Sequence, residues 1–270
     1  MVANLNYSNW KIEYEYILKG LQEKKILMLF SGGKDSSFLL EYLIRAGREF
    51  GFSFETHAGA FPVHRYTETE KKRIGSYWEG RAIEIVWHEF SEDDEKIRRS
   101  ENPCLSCQKI RKKVLQKIVA GEEDLTRLVM VVSYSLWDIV SYSIEHILDD
   151  IFTNSAKTEG GEMSRRFLET SQRFYPILKL KEGYTLFRPL LRYDSKTILK
   201  RIQKIGIPIL SIPCEFKGHR PKRVLEKYYE RMSLDFDYDK VFRFAKECLK
   251  LPDSSKYTSI EKDKYLTDIF

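Results

Sequence analysis

The sequence predicts an α/β fold, a doubly wound and mostly parallel five-stranded sheet covered by helices. Three observations support this prediction. Apolar runs of strand length alternate with stretches of helical periodicity. The first apolar run leads through a glycine-rich turn into a helix, and 270 residues suffice for a full core with an appendage. We therefore expect one α/β domain over residues 1–215 and a C-terminal helical extension over residues 216–270.

The predicted elements follow one another in a regular order. The aromatic-rich residues 1–24 are expected to form an N-terminal helical segment that lies on the domain. Strands are predicted at residues 26–30, 54–63, 83–90, 128–132 and 185–190, and helices at residues 36–50, 104–120, 137–150 and 195–205, with a polar helical stretch from Thr67. Residues 152–182 are polar and show neither the helical nor the strand period of apolar residues. We therefore interpret them as an insertion or as a mobile loop over the functional site.

Composition excludes some classes of protein. Charged residues make up 32% of the chain and hydrophobic residues 42%, and no apolar run approaches the roughly 20 residues that cross a bilayer. The N-terminus lacks the order of a secretory signal. We therefore expect a cytoplasmic protein with no membrane partner. The net charge of +6 suits a polyanionic partner, although a solvated surface of lysine and glutamate produces the same excess.

A glycine-rich loop, Ser31-Gly-Gly-Lys-Asp-Ser-Ser37, follows the first predicted strand and opens the next helix. Two glycines let the backbone approach an anion, and the N–H groups and dipole of the helix attract one. The lysine adds a point charge, and the aspartate sits where a Mg²⁺ ligand or a helix cap is useful. The predicted nucleotide-binding residues are Ser31, Gly32, Gly33, Lys34, Asp35, Ser36 and Ser37.

This loop is not a Walker A loop, because the spacing of that motif is absent. An ordinary turn with a helix cap is the plain alternative. The loop closely resembles the SGGxDS signature of the PP-loop ATP pyrophosphatases. Enzymes of that superfamily cleave ATP between the α and β phosphates and transfer AMP to an oxygen of the substrate, so the resemblance implies ATP and Mg²⁺ as cofactors.

Three cysteines are placed to meet at one edge of the predicted sheet. Cys104 and Cys107 form a Cys-x-x-Cys pair, and Cys214 follows a later extended stretch. In an intracellular chain such thiols indicate a metal or redox site in preference to disulfides. Three thiolates would leave one iron of a [4Fe–4S] cluster open to a substrate or hydrosulfide. The alternatives are a structural zinc site completed by His219 and a persulfide mechanism without metal. Cys248 is predicted to be a buried helical residue.

The loop and the cysteines together resemble the tRNA 2-thiolation branch of the superfamily, the 2-thiocytidine and 2-thiouridine synthetases. The matching segments, within residues 24–223, are Ser31 to Ser36, Cys104 to Arg111, Ser133-Tyr-Ser-Leu-Trp-Asp138, Arg188-Pro-Leu190 and Ile212-Pro-Cys214. The sequence departs from the family where Ser133-Tyr134 replaces a Gly-His pair and where Trp137 replaces the first acidic residue. Lys217 stands where the cytidine branch often has a further cysteine, and the zinc-finger modules of the 2-thiouridine enzymes are missing.

The resemblance implies catalytic roles for Arg111 and Asp138. In the implied reaction, transfer of AMP turns a pyrimidine carbonyl oxygen into a leaving group, and sulfide delivered at the open iron replaces it. Arg111 would stabilise charge on the activated base or the α-phosphate, and Asp138 would orient Mg²⁺ or handle a proton. A sulfur donor or sulfur-carrier protein is implied as a partner, and homodimers are common in the resembling family.

Basic residues crowd the segments that follow the cysteines. A phosphate backbone would be held there by salt-sensitive contacts, with the target base extruded into the pocket, and tRNA is the expected partner. A solvated helix face is the alternative. The predicted RNA-binding residues are Lys109, Lys112, Lys113, Lys217, Arg220, Lys222 and Arg223.

Three other functions stay open on the sequence alone. The first is adenylation and thiolation of a small molecule, which the altered segment 133–137 motivates. The second is a reductase of the adenylyl-sulfate type, which has a similar loop but consumes the nucleotide as substrate. The third is a nucleotide-binding protein with a structural zinc site and no catalysis.

Overall fold

A six-stranded sheet forms the centre of the structure, a computed structural model that describes residues 5–152, 165–219 and 221–270. The strands are β1 (Lys25–Leu29), β2 (Glu55–Gly59), β3 (Ile85–His88), β4 (Leu128–Val131), β5 (Ile177–Lys179) and β6 (Thr185–Phe187). They lie in the order β3-β2-β1-β4-β6-β5, and only the edge strand β5 runs antiparallel to its neighbour. The predicted doubly wound, mostly parallel α/β fold is therefore confirmed.

Helices cover both faces of the sheet. In the described residues they are α1 (Tyr7–Lys19), α2 (Lys34–Phe50), α3 (Glu68–Glu79), α4 (Glu95–Arg98), α5 (Pro103–Ala120), α6 (Leu136–Phe152), α7 (Arg165–Ser171), α8 (Ser195–Ile205), α9 (Pro221–Arg231), α10 (Tyr238–Glu247), α11 (Ser255–Thr258) and α12 (Lys262–Lys264). Side-chain caps fix several of the starts: Asn102 accepts a hydrogen bond from the backbone N–H of Leu105 at α5, and Asp194 does so from Thr197 at α8. No helix in this described part is long and apolar enough to cross a membrane.

The alternation of side chains along β1 divides the core between the two faces of the sheet. Ile26 and Met28 pack in a cluster with α1, α2 and α8. Leu27 lies in the opposite cluster, with α5 and the C-terminal segment, where Tyr257 and Tyr265 are fully buried. A third cluster joins α6, α9 and α10. The C-terminal extension thus covers core surface of the sheet, and the domain boundary at residue 215 remains a prediction.

The prediction of five strands was one strand short. The missing strand, β5, lies within the segment 152–182 that the sequence suggested as an insertion, and α7 lies there too. Only Leu178 of this three-residue strand is buried, between two exposed residues, so the strand is too short to produce a readable period. The prediction of a mobile loop concerns residues 153–164 as well, which lie outside the described residues.

Candidate functional site

The strand order of the sheet reverses between the neighbouring strands β1 and β4. From β1 the chain proceeds to β2 and β3 on one side, and later returns to β4 on the other side. In parallel sheets the loops at the carboxyl ends of two such strands diverge and leave a crevice for ligands. The glycine-rich loop follows β1 and the segment that begins at Ser133 follows β4, so both predicted motifs border this crevice.

The glycine-rich loop is held in shape by its own serines. The hydroxyls of Ser31 and Ser36 lie 3.0 Å apart, and the Ser36 hydroxyl donates to the carbonyl of Gly33 at 3.0 Å. Gly32 has φ +65°, a conformation that side chains disfavour, and a Cβ at this position would lie 2.8 Å from the side chain of Leu210. The hydroxyl of Ser37 is buried without a hydrogen-bond partner in the described chain.

Helix α2 starts directly behind this loop without a side-chain cap. Gly33 occupies the cap position, and no side chain accepts a hydrogen bond from the first turn. The first N–H groups of a helix have no acceptor within it, and the helix dipole adds positive potential there. The start of α2 therefore suits an anion, as the sequence predicted for a nucleotide phosphate.

Two lysine–aspartate pairs lie side by side at the crevice. Lys34 contacts the carboxylate of Asp35 at 2.9 Å, and Lys222 of α9 forms an ion pair with Asp138 in the first turn of α6. Asp138 also accepts hydrogen bonds from the backbone N–H of Ser135 at 2.8 Å and from its hydroxyl at 2.9 Å. Four charged side chains from α2, α6 and α9 thus lie at the loops that follow β1 and β4.

The two carboxyl groups have pKa values that move in opposite directions. Burial raises the pKa of Asp35, and the Asp138 carboxylate adds to the rise against the opposing effect of Lys34. Burial acts the same way on Asp138, but the ammonium of Lys222, the hydrogen bond from the Ser135 N–H and the charge of Lys34 together outweigh it, so the pKa of Asp138 lies below its ordinary value. Asp138 is therefore the fixed anion of the site, and Asp35 is the group whose charge depends on what binds.

The position of Lys222 differs from its predicted role as an RNA contact. Its ammonium points inward to Asp138 and lies 3.7 Å from Glu226 on the same helix. Both carboxylates attract it, so its charge is used within the site. The nearby departure at Trp137 has a packing explanation, because this buried ring meets the ring of Tyr229 on α9, with centroids 5.6 Å apart.

The structure brings Cys104, Cys107 and Cys214 together. All three lie in one small apolar cluster with Phe61 and Phe216, beyond the carboxyl ends of β2 and β3. Cys107 is buried, the other two are partly exposed, and the thiol of Cys104 lies 3.5 Å from the carbonyl oxygen of Phe216. The expected convergence of distant thiols is therefore present in the fold.

The three thiols are not arranged as a preformed site for one metal ion. In the described residues no group of three or more His, Cys, Asp or Glu side chains could hold a single metal ion, which includes His219 with the three cysteines. Three cysteines set against apolar side chains are a donor set that suits a [4Fe–4S] cluster, whose ligands are thiolates.

Several hydrogen bonds fix the loop that carries Cys214. The N–H of Leu210 donates to the carbonyl of Gly32 at 2.8 Å, which connects this loop directly to the glycine-rich loop. Further bonds include Ser211 N to Glu70 at 2.7 Å, Arg65 to the Ile212 carbonyl at 3.1 Å, and Glu215 N to His64 Nε2 at 3.1 Å. The cysteine cluster and the phosphate-binding loop are thus mechanically linked.

Arg111 lies over the carboxyl end of β2. Its Nε would be 3.8 Å from a Cβ on Gly59, an ordinary contact distance, so the guanidinium packs against the chain at this glycine. Gly59 is the register partner of His88, whose Nε2 lies 2.9 Å from Nδ1 of His57. Arg111 is partly buried and has no hydrogen-bond or ion-pair partner in the described chain, so its charge is available between the cysteines and the sheet.

The other predicted RNA contacts are dispersed. Lys113 pairs with Glu92 at 3.3 Å and Arg223 with Glu226 at 3.1 Å. Lys109 and Lys217 are exposed, and Lys112 reaches the C-terminal segment at Thr267. Arg220 lies outside the described residues.

Sequence reasoning missed several residues that shape the site. Lys222 was grouped with the basic run, and the two hydrogen bonds that Ser135 donates to Asp138 were not predicted. The pattern Ser135-Leu-Trp-Asp138 has the spacing of a capping box, so a local signal for this contact exists. For His64 and Lys222 no local signal exists, because their partners are distant in sequence. Cys248, predicted to be buried, is exposed, because it ends α10 beyond the inward-facing Ala245.

The fold and the phosphate loop are similar to those of the PP-loop ATP pyrophosphatases. The solved structure of the U34-tRNA thiolase NcsA from Methanococcus maripaludis, with its [4Fe-4S] cluster, superposes with a TM-score of 0.64 over 98% of this chain and 89% of that chain, at 14% identity, which shows a shared fold. No protein-family model matches the chain.

The chain is similar in sequence to curated tRNA 2-sulfurtransferases. It is 27% identical over 229 residues to the tRNA-cytidine(32) 2-sulfurtransferase of Vibrio vulnificus (strain CMCP6), covering 81% of this chain and 63% of the relative. It is 26% identical over 232 residues to the protein of that name from Vibrio cholerae serotype O1 (strain M66-2), with the same coverage. The chain thus spans less than two thirds of the length of these curated relatives.

Proposed function

We propose that the chain is an ATP-dependent tRNA sulfurtransferase that adenylates the C2 carbonyl of a pyrimidine and replaces its oxygen with sulfur. One observation carries the proposal. Three cysteines from α5 and from a later loop meet in one cluster, and that loop is hydrogen-bonded to the phosphate-binding loop between Leu210 and Gly32. Such a site offers a sulfur-handling centre beside an ATP-binding loop.

The glycine-rich loop and the start of α2 would bind the phosphates of ATP. Lys34 now neutralises Asp35, and both side chains are partly exposed at the crevice. When a phosphate oxygen takes the lysine, the Asp35 carboxylate becomes available to Mg²⁺, a hard cation that prefers oxygen ligands. Asp138, held by Lys222 and Ser135, stays anionic and keeps the second lysine in place.

Cys104, Cys107 and Cys214 would hold a [4Fe–4S] cluster. With three protein ligands, such a cluster supplies one open iron that can bind hydrosulfide. The apolar side chains of Phe61 and Phe216 shield the cysteines from water. Sulfide itself has to come from a donor molecule or a sulfur-carrier protein.

The chemical sequence has two displacements. In the first, the C2 oxygen of the base attacks the α-phosphorus of ATP, and pyrophosphate leaves. In the second, a sulfur nucleophile adds to C2, the bond to the adenylated oxygen breaks, and AMP leaves with that oxygen. Arg111, unpaired and positively charged over Gly59, stabilises the negative charge that develops in both steps.

The small-molecule alternative gains no support from the structure. It was motivated by the altered segment 133–137, yet Trp137 packs against α9 and Ser135 donates hydrogen bonds to Asp138, which are structural reasons for the change. The basic segments near the cysteines favour a polyanionic substrate. We therefore retain tRNA as the substrate in the proposal.

A direct assay combines nucleoside and nucleotide analysis. The anaerobically purified protein is incubated with unmodified tRNA, ATP labelled at the α-phosphate, Mg²⁺ and sulfide. We expect labelled AMP and a pyrimidine nucleoside with the mass shift of an oxygen-to-sulfur exchange, both lost in Arg111→Ala. Formation of AMP only with a small-molecule substrate, or of ADP, would refute the proposal.

A further inference from the structure

The outward face of α9 carries a row of cations beside a row of apolar side chains. We call it the α9 face, and it consists of Arg223, Val224, Lys227, Tyr228, Arg231 and Met232. Val224, Tyr228 and Met232 are 47%, 52% and 65% exposed. The spacing of four residues aligns each row along the helix, so the rows run side by side.

The fold does not require these side chains. Helix α9 packs inward through Lys222, Glu226 and Tyr229, and the hydroxyl of Tyr229 lies 3.2 Å from that of Ser141. The packing of α9 therefore leaves these three apolar side chains exposed in one row, where a partner can bury them.

Charge decides what kind of partner fits. Lys227 and Arg231 are exposed and form no ion pair in the described chain, whereas Arg223 pairs with Glu226. A second copy of this chain would bring the same cations close to one another across a two-fold interface, which is unfavourable. A polyanion with apolar faces of its own matches both rows.

The position of α9 relates this surface to the site. The helix follows the short 3-10 helix Glu215–His219, which begins one residue after Cys214, and exposed Lys217 lies on that connection. An 11-residue helix is about 16 Å long, enough for a few nucleotides of single-stranded RNA. Its inward side reaches Asp138, so the α9 face lies on the back of a helix that borders the crevice.

We propose that the α9 face binds single-stranded or loop RNA next to the target base. Lys227 and Arg231 contact successive phosphates, and the exposed ring of Tyr228 stacks on an unpaired base. This inference rests on the proposed function, and it deepens that function by assigning the surface that holds the tRNA near the site. Aromatic stacking flanked by cations is a common means of binding unpaired nucleotides.

The test measures the affinity for unfractionated tRNA at several salt concentrations. We expect Lys227→Ala/Arg231→Ala to weaken binding and to reduce the slope of log K against log salt by about 1.4, because two contacts to single-stranded phosphates are lost. We expect Tyr228→Ala to weaken binding about tenfold and Tyr228→Phe to retain it. The matched control is Lys200→Ala/Lys204→Ala, an exposed pair with the same spacing on α8, which should bind as the wild type.

The outcomes separate this inference from the proposed function. If the wild type binds tRNA and the α9 variants bind it with unchanged affinity and salt slope, the α9 face is not the RNA surface and the proposed function stands. If sedimentation shows a wild-type dimer that Tyr228→Ala dissociates, the face is a self-association surface and the inference is overturned. If the wild type binds no tRNA, the proposed function fails and this inference fails with it.

Discussion

Lys222, on α9, neutralises Asp138, in the first turn of α6, and so ties the C-terminal helices to the loop that follows β4. The carboxylate is buried, and hydrogen bonds from Ser135 complete its coordination. Burial opposes charge on Lys222, but Asp138 and Glu226 raise the pKa of the ammonium well above its ordinary value. At neutral pH both partners are therefore charged, and each depends on the other.

Removal of one partner should destabilise the protein. We expect Lys222→Met to lower the free energy of unfolding by about 3 kcal/mol, because a buried carboxylate is left without its counter-charge. Asp138→Asn should have a similar effect, and the double variant should lose less than the sum. Urea unfolding checks this, with Lys227→Met as the control on the exposed side of the same helix. Additive effects of the two substitutions would show that the ion pair contributes nothing.

The glycine-rich loop should not tolerate a side chain at Gly32. Gly32→Ala combines a positive φ, which costs about 1 to 2 kcal/mol, with a contact to Leu210 at 2.8 Å. Gly206 also has a positive φ, +74°, but a Cβ there meets nothing within 4 Å. Gly206→Ala therefore isolates the backbone effect. Thermal unfolding should rank Gly32→Ala as the less stable variant, and equal stability would show that Leu210 yields without cost.

Most strands and helices could be predicted from the sequence because local residue patterns determine them. The apolar run before Ser31 and the glycines after it predict a strand, a loop and a helix, and each of these is present. Strand β5 was missed because Leu178 alone is buried in it, which leaves no period to detect. The ion pair of Lys222 with Asp138 was missed because 84 positions separate the partners, so only the assembled fold brings them together.

The cysteine site could be predicted from the sequence only in part. Their types and spacing indicated a common site, and the structure brings Cys214 to Cys104 and Cys107 in one cluster. The residues that hold the Cys214 loop were beyond prediction, since His64 and Arg65 reach it from a distant segment.

The loop that carries Cys214 should loosen when His64 is replaced. Nδ1 of His64 lies 2.6 Å from Asp94, and Nε2 accepts a hydrogen bond from the N–H of Glu215. His64→Phe keeps the ring but removes the acceptor, so we expect hydrogen exchange at Glu215 to accelerate about tenfold. Arg98→Gln is the control, because it removes only exposed side-chain ion pairs, those with Glu215 and Glu95. Unchanged exchange in His64→Phe would mean that other contacts hold the loop.

A histidine pair on the sheet should make stability depend on pH. Burial and the neighbouring His57 lower the pKa of His88 below its ordinary value. The unfolded chain therefore takes up a proton at this residue from about pH 6.5 downward while the folded chain does not, and the free energy of unfolding falls with pH until the folded pKa is reached. His88→Gln should reduce this fall, and the exposed His219→Gln should not. Unfolding between about pH 7.5 and 5.5 measures the difference, and equal slopes in both variants would contradict it.

The central claim is that three distant cysteines form one iron–sulfur site beside the phosphate-binding loop. The most direct measurement is the iron and acid-labile sulfide content of the anaerobically purified protein, compared between Cys214→Ser and Cys248→Ser. We predict about four iron and four sulfide per chain in the wild type, retained in Cys248→Ser, where the thiol is exposed and remote from the cluster, and lost in Cys214→Ser. Stoichiometric zinc without iron in the wild type, or full iron content in Cys214→Ser, would contradict the claim.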